Sequence, residues 1–392
     1  MAHYFIFPEK DTTIFSHPSD QTLNAGIDEI LTIEDKESFT NLGFFPSRVL
    51  LQFNTDELKN TIQSKVLDKD FTANLKLYQT EHRELSIDQN FEVFPLAQAW
   101  NNGTGRKDNN PQITDGCSWI YRDGSPNAIL NDPGGTEWTT IGFATGVTAS
   151  FSSSVEGGGV WYFDDNIQNN FGFMVSRSYG YDDDLDLSFN VSNPVKKHYS
   201  GSIGFSYPDG IPNYGFILKR VDTQEFTEID DGQLNFFSRD THTIYPPYLD
   251  ISWDDSNYDT TFATDDKIKQ TGECYVTLRN NKEEFKTIEE PTFRLNVREL
   301  YPTRKFVTSS NFLDVNYFTS ESFYSLVDYA TEETIIPFGS SSKLSADAEG
   351  MYFKIYMNGL QEGRYYKLLF KHNNQDGIRV YDNNYYFKIV KS

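Results

Sequence analysis

The chain has 392 residues, 57 acidic against 34 basic, and a formal net charge of −23. That length exceeds one ordinary core, so roughly two or three domains are expected, and so acidic a surface repels phosphate backbones and excludes nucleic acid as the expected ligand. With 32 Phe, 24 Tyr and 5 Trp inside a hydrophobic content of only 38%, the composition points to an all-β chain, because aromatic and β-branched side chains suit pleated surfaces.

Residues 1–10 show no basic start followed by a long apolar core, so no signal peptide is expected, and no stretch approaches the length needed to span a bilayer. Residues 4–7 form a short apolar run closed by Pro8, and a second run resumes at 11–15. Turn residues Asn24-Ala25-Gly26 lead into alternation at Ile27, Glu29, Leu31 and Ile33. Residues 47–53 read as a strand whose apolar centre is buried on both faces. The stretch 56–62 is the best short-helix candidate, with an acidic first turn. Residues 73–78 alternate as a half-buried strand should.

Residues 91–96 lead into Trp100-Asn101-Asn102-Gly103-Thr104-Gly105, and an aromatic, loop-rich region follows at 113–124. Residues 125–160 are Gly, Ser and Thr rich, within a long loop-rich insertion expected over 125–180, of the kind that carries contacts or decorates a surface. Leu185, Leu187, Phe189 and Val191 alternate with polar residues and predict a further strand. Three short runs at 213–219, 234–240 and 245–253 close the first module, and Pro246-Pro247 fixes the extended entry to the last. An acidic stretch at 256–268 is expected as a linker. Beyond it, short strands at regular spacing over 269–392 suggest a second, immunoglobulin-like sandwich.

Chemistry-bearing patterns are sparse. The histidines at 3, 17, 82, 198, 242 and 372 show no ligand spacing, and His198 and His242 read as ordinary loop or surface residues rather than catalytic ones. Zincin, hydrolase-elbow and phosphate-loop motifs do not occur, so no enzyme is expected. Cys117 and Cys274 leave room for a single disulfide but form no framework. Asp182, Asp184 and Asp186 resemble a hard-cation site and are the candidate calcium ligands, since calcium takes several carboxylate oxygens; the competing reading is a solvated acidic turn. No other cofactor is expected. Trp100, Trp119, Tyr121, Trp138 and Trp161 are the candidate contacts for a glycan or a protein partner, because flat aromatic faces stack on sugar rings; for any one of the four tryptophans, core packing beneath a loop is the simpler reading.

The succession of these motifs resembles a DNRLRE-type domain, a carbohydrate-module-like β-sandwich. The likeness runs from Asp11-Thr12-Thr13-Ile14 through Asn24-Ala25-Gly26 and Ser47-Arg48-Val49-Leu50-Leu51-Gln52-Phe53 to 73–78 and 100–105. It continues with Gly116-Cys117-Ser118-Trp119 and closes with 213–219, Phe237-Ser238-Arg239 and 247–253. The 125–180 insertion and the lack of a secretion signal depart from the usual member. The C-terminal part is similar to a module of phage virion proteins, through 334–338, Gly350-Met351-Tyr352-Phe353, Arg364-Tyr365-Tyr366 and 385–389.

This resemblance implies an N-terminal jelly-roll-like sandwich over 1–255 joined to the C-terminal sandwich over 269–392. The implied function is that of a non-enzymatic structural protein of a tailed-phage virion, in the tail, neck or baseplate, made in the host cytoplasm. Its implied partners are other virion proteins and symmetric copies of itself, without membrane insertion. The alternative is a module attaching to host glycans, with a polysaccharide-acting enzyme third.

Overall fold

The computed structural model of the chain describes residues 2–38, 43–83, 88–124, 134–138, 157–162, 173–180, 186–200, 211–225, 231–279, 281–302 and 314–391. The protein is all-β, with multiple sheets in which antiparallel pairing predominates. Among the described residues its α-helices are α1 (Thr55–Asn60) and α2 (Ser192–Ser200), and α1 runs on as a π-helical segment, Thr61–Val66. Two compact units divide the chain: Ile6–Asn60 with Thr72–Asp250, and Met1–Phe5 with Thr61–Phe71 and Ile251–Ser392.

From the N-terminus, the strands are β1 (Ala2–Ile6), β2 (Pro8–Phe15), β3 (Ile30–Ser38), β4 (Gly43–Phe53), β5 (Phe71–Leu77), β6 (Gln79–Arg83) and β7 (Asp88–Pro95). There follow β8 (Tyr121–Asp123), β9 (Thr136–Glu137), β10 (Val175–Gly180), β11 (Leu187–Asn190), β12 (Phe216–Arg220), β13 (Gln233–Phe237) and β14 (Tyr248–Trp253). The main sheet of the larger unit runs β10-β7-β12-β4-β3-β13-β6, with β2 also on β4. β4 lies at its centre, which is why Val49, Leu50 and Leu51 are all buried and read as a continuous apolar run. β5 and β11 pair in a second sheet, with Leu187 opposite Leu77 and Phe189 opposite Leu75. Their clean alternation of buried and open positions matches the period-two pattern of their sequences.

Several boundaries differ from the sequence expectation, each for a local reason. Pro8 opens β2 rather than ending the chain's first excursion, as suits a residue that lacks a ladder donor. The alternation at Ile27 and Glu29 precedes the strand, which starts at Ile30; Ala25 and Asp28 close a turn there instead. β12 starts at Phe216 because Gly215, at φ +91°, lies so near the Leu51 carbonyl that a Cβ would collide with it. The helix α2 has no counterpart in the sequence reading; Asn190 Oδ1 accepts hydrogen bonds from Ser192 N (3.1 Å) and Oγ (2.5 Å) at its start.

The other unit carries β15 (Cys274–Leu278), β16 (Glu284–Lys286), β17 (Thr292–Glu299), β18 (Ser322–Asp328), β19 (Thr334–Ile336), β20 (Ser345–Asp347), β21 (Gly350–Lys354), β22 (Tyr365–Asn374) and β23 (Gly377–Val390). They make a sheet β15-β17-β21-β20 and a sheet β16-β23-β22-β18-β19. Aromatic rings from both sheets fill the layer between. Phe293 stacks on Phe353 at 5.2 Å and on Phe387 at 5.8 Å, and Tyr324 stacks on Phe353 at 4.4 Å. The stretch 256–268, expected as a linker, belongs to this unit: Tyr258 bridges Ala346 and Ile268 bridges Tyr317.

Truncating Phe293 removes the ring shared by both sheets. Phe293→Ala is expected to cost about 3–5 kcal/mol, the usual range for deleting a buried aromatic ring, measured as a fall in the denaturant midpoint at unchanged slope.

Candidate functional site

Several residues of the N-terminal part of the resemblance converge in the larger unit. Asn24 is their hub. Its Nδ2 donates to Asn102 O (2.7 Å) and Cys117 O (2.9 Å), and its Oδ1 accepts from Gly105 N (2.8 Å) and Gly26 N (3.3 Å). Two donor hydrogens and two lone pairs are the whole capacity of a primary amide, so this side chain is saturated. Gly103 and Gly116 press against it, and a Cβ on either would collide with the Asn24 amide. One side chain thereby ties its own turn to two distant loops.

Beside this hub lies an aromatic cluster that includes Trp100, Trp119, Trp138, Trp161, Phe94 and Cys117. The four tryptophans are at most 5% exposed. Trp100 Nε1 donates to Tyr214 O (2.9 Å) and Trp138 Nε1 to Ser118 O (3.0 Å), while Gly158 N donates to Trp119 O (2.6 Å). Their rings are therefore closed in by glycine-bearing loops that fold back on them, and the sugar-stacking faces expected of Trp100, Trp119, Trp138 and Trp161 are not presented to solvent. Tyr121 is half-buried, its backbone paired with Ser118.

A guanidinium lies within this cluster. Arg48 donates to Glu225 through Nε (2.9 Å) and Nη2 (2.6 Å) and to Gly158 O through Nη1 (2.6 Å). Its plane sits 4.7 Å from the Trp119 ring and 5.2 Å from the Trp161 ring. Next to it, Lys219 Nζ lies 3.8 Å from Glu225, 3.3 Å from Glu92 and 2.6 Å from Asp222. Burial pushes the Glu92 carboxyl up, against the opposing pull of Lys219. Arg220, also buried, pairs with Asp35 and donates to Gln89 Oε1 and to the Asp231 and Gly232 carbonyls. Each buried cation here meets carboxylates or carbonyls of its own unit, as a buried charge requires.

Asp11 differs. It is buried, Oδ2 accepts from Arg239 N (2.6 Å), and Oδ1 has no hydrogen-bond partner among the described residues. Burial raises its carboxyl to about 7, the Arg239 amide pulls it back, and Asp240 adds to the rise. His198 is held by its contact to Ile211 O (3.1 Å) and pushed down to about 4 by burial, which marks it as a neutral packing residue. His242 is exposed, 3.7 Å from Glu29.

Asp182 and Asp184 lie outside the described residues. Asp186 Oδ1 accepts a hydrogen bond from Gln79 N (3.2 Å). Among the described residues no group of three or more His, Cys, Asp or Glu side chains is arranged to hold a metal ion. Cys117 and Cys274 are free thiols, both buried, and burial raises both. In the other unit, a groove of about 510 Å³ is lined by residues that include Arg279, Asn281, Lys282 and Glu289. Lys282 and Glu289 pair there at 3.3 Å.

Sequence patterns pointed to the tryptophans but not to Glu225 or Arg220, since charges 177 and 185 residues from their partners leave no short-range signal. No protein-family model matches the chain, and no curated protein matches it either.

Two expectations follow. Glu225→Gln leaves Arg48 buried with half its pairing, and a loss of about 3–5 kcal/mol is expected, read from chemical denaturation. Asp11 has a folded-state value above its unfolded one, so its neutral form favours folding. Stability from this group is full below the unfolded value of 3.8 and lost as pH climbs through about 7. Asp11→Asn should therefore flatten the loss of stability between those pH values and raise stability at pH 8 by roughly 2–4 kcal/mol, measured by melting across a pH series.

Proposed function

We propose that this chain is a non-enzymatic structural component of a tailed-phage virion, placed in the tail, neck or baseplate and acting through protein–protein contacts. One observation carries the reading: the residues of the DNRLRE-like succession act as internal fixings. Asn24, Arg48, Trp100 and Trp119 each bind other parts of their own unit. A segment whose polar chemistry is directed inward behaves as a scaffold, and scaffolds work through the surfaces and loops they display. The net charge of −23 fits contacts with protein better than contacts with the genome. No described helix is long and apolar enough to cross a membrane.

Attachment to glycans through Trp100, Trp119, Trp138 and Trp161 is the weaker reading, since burial withholds those rings from a ligand. Mass spectrometry of gradient-purified particles is expected to find this chain at fixed stoichiometry, and antibody labelling to place it on the tail rather than the capsid. Particles that assemble complete tails after deletion of the gene, with the chain absent from the purified wild-type virion, would sink the proposal.

A further inference from the structure

The inward row of β22 runs Tyr366, Leu368, Phe370 and then His372, an imidazole where an apolar side chain would continue the pattern. His372 is 0% exposed. A neutral imidazole carries one N–H and one lone pair, and its neighbours decide which nitrogen holds which. Thr319 donates its backbone N–H to His372 Nε2 at 3.3 Å, so Nε2 is the acceptor and the ring proton sits on Nδ1. Nδ1 is buried and has no hydrogen-bond partner among the described residues.

A short segment closes over this ring. Tyr317 and Phe318 are buried, and Phe318 stacks on His372 at 4.1 Å and on Tyr381 at 5.5 Å. Thr319 Oγ1 donates to Asn373 O (2.6 Å), and Thr319 O accepts from Ser322 Oγ (2.8 Å). In the sheet, Ser322 of β18 lies opposite His372 on one side and Arg379 of β23 on the other.

No carboxylate is aimed at the ring. Arg379 pairs with Glu273 at 3.3 Å, Glu321 with Lys343 at 3.5 Å and Lys269 with Glu299 at 2.8 Å, while Asp376 accepts from Gly272 N at 2.6 Å. Tyr317, Tyr381 and Cys274 are pushed up by burial and stay neutral. Burial, with the Arg379 charge behind it, holds the imidazole down to about 4.

An imidazolium has two N–H groups and no acceptor. Protonation therefore turns Nε2 into a donor facing the Thr319 N–H, and leaves a charge in a dry site that offers it no acceptor among the described residues. Water reaches both nitrogens once Phe318 and Thr319 lift off the ring.

We propose that His372 is an acid-sensitive latch: its neutral ring holds the 317–319 segment against β22, and protonation releases that segment while the strands of the sandwich stay formed. The folded value lies below the ordinary 6.5, so the stability supplied by the neutral ring is full above 6.5 and is lost as pH falls toward about 4. The latch does not depend on the virion assignment.

Hydrogen–deuterium exchange of the full chain tests it, read on peptides by mass spectrometry and divided by the intrinsic rate at each pH. From pH 6.5 to about pH 4, protection of the peptide covering 316–322 is expected to fall at least about tenfold, with β17 and β22 unchanged. Acid also protonates Glu273, Glu299 and Glu321, and His372→Gln separates the causes. Its amide oxygen can accept from Thr319 N and does not titrate, so its protection is expected to stay level over the same range. Nitrogen-15 NMR of the histidine-labelled wild type adds a reading that needs no variant: the Nδ1–H tautomer at neutral pH, and protonation in step with the loss of protection. An equal fall in His372→Gln overturns the proposal. So does a wild-type segment that stays protected in acid, a loss of protection spread over both sheets, or a His372 ring already charged at pH 6.5.

Discussion

A guanidinium inside an aromatic core must be matched on every side, because an unpaired buried charge costs several kcal/mol. Arg48 imposes this constraint on the larger unit. Glu225 meets it edge-on, Gly158 caps its third corner, and Trp119 and Trp161 cover its faces. Satisfying it brings β4, the loop at 157–161, the loop at 117–119 and the segment after β12 to one point. A cation lying on desolvated rings adds about 2 kcal/mol to what the carboxylate supplies, so the rings hold the charge as much as the charge holds the loops.

The same logic explains why a unit rich in irregular chain can be specific. Loops carry backbone groups that no ladder satisfies. Asn24 answers for several of them at once, accepting from two amides and donating to two carbonyls. Glycines 103 and 116 let the backbone come within reach of that amide. Polar hub and aromatic cluster are one assembly, and both are turned inward.

The C-terminal sandwich solves a different problem with different means. Its core is stacked phenylalanine and tyrosine, while its outer face keeps tyrosines that the core does not need. β18 is buried along its whole length although it contains two serines and an aspartate. Each is provided for: Ser322 donates to Thr319 O, Ser325 to Ile336 O, and Asp328 pairs with Arg364. Because those partners are distant or lie in turns, the polar residues hid this strand from the period-two pattern.

By itself, the amino-acid order determined the all-β class and most strands with strict alternation, such as β5, β11, β14 and β17, since one side chain in two must face a core. It also marked the 55–60 helix by its acidic first turn. What alternation cannot say is which open face meets solvent and which meets a covering loop. Only tertiary structure decided that the tryptophans at 100, 119, 138 and 161 lie under glycine loops while tyrosines at 329, 365 and 386 stay uncovered. Long-range pairs such as Arg48 with Glu225 belong to the same category: exposure and charge pairing are properties of segments brought together from afar, and no local spacing encodes them.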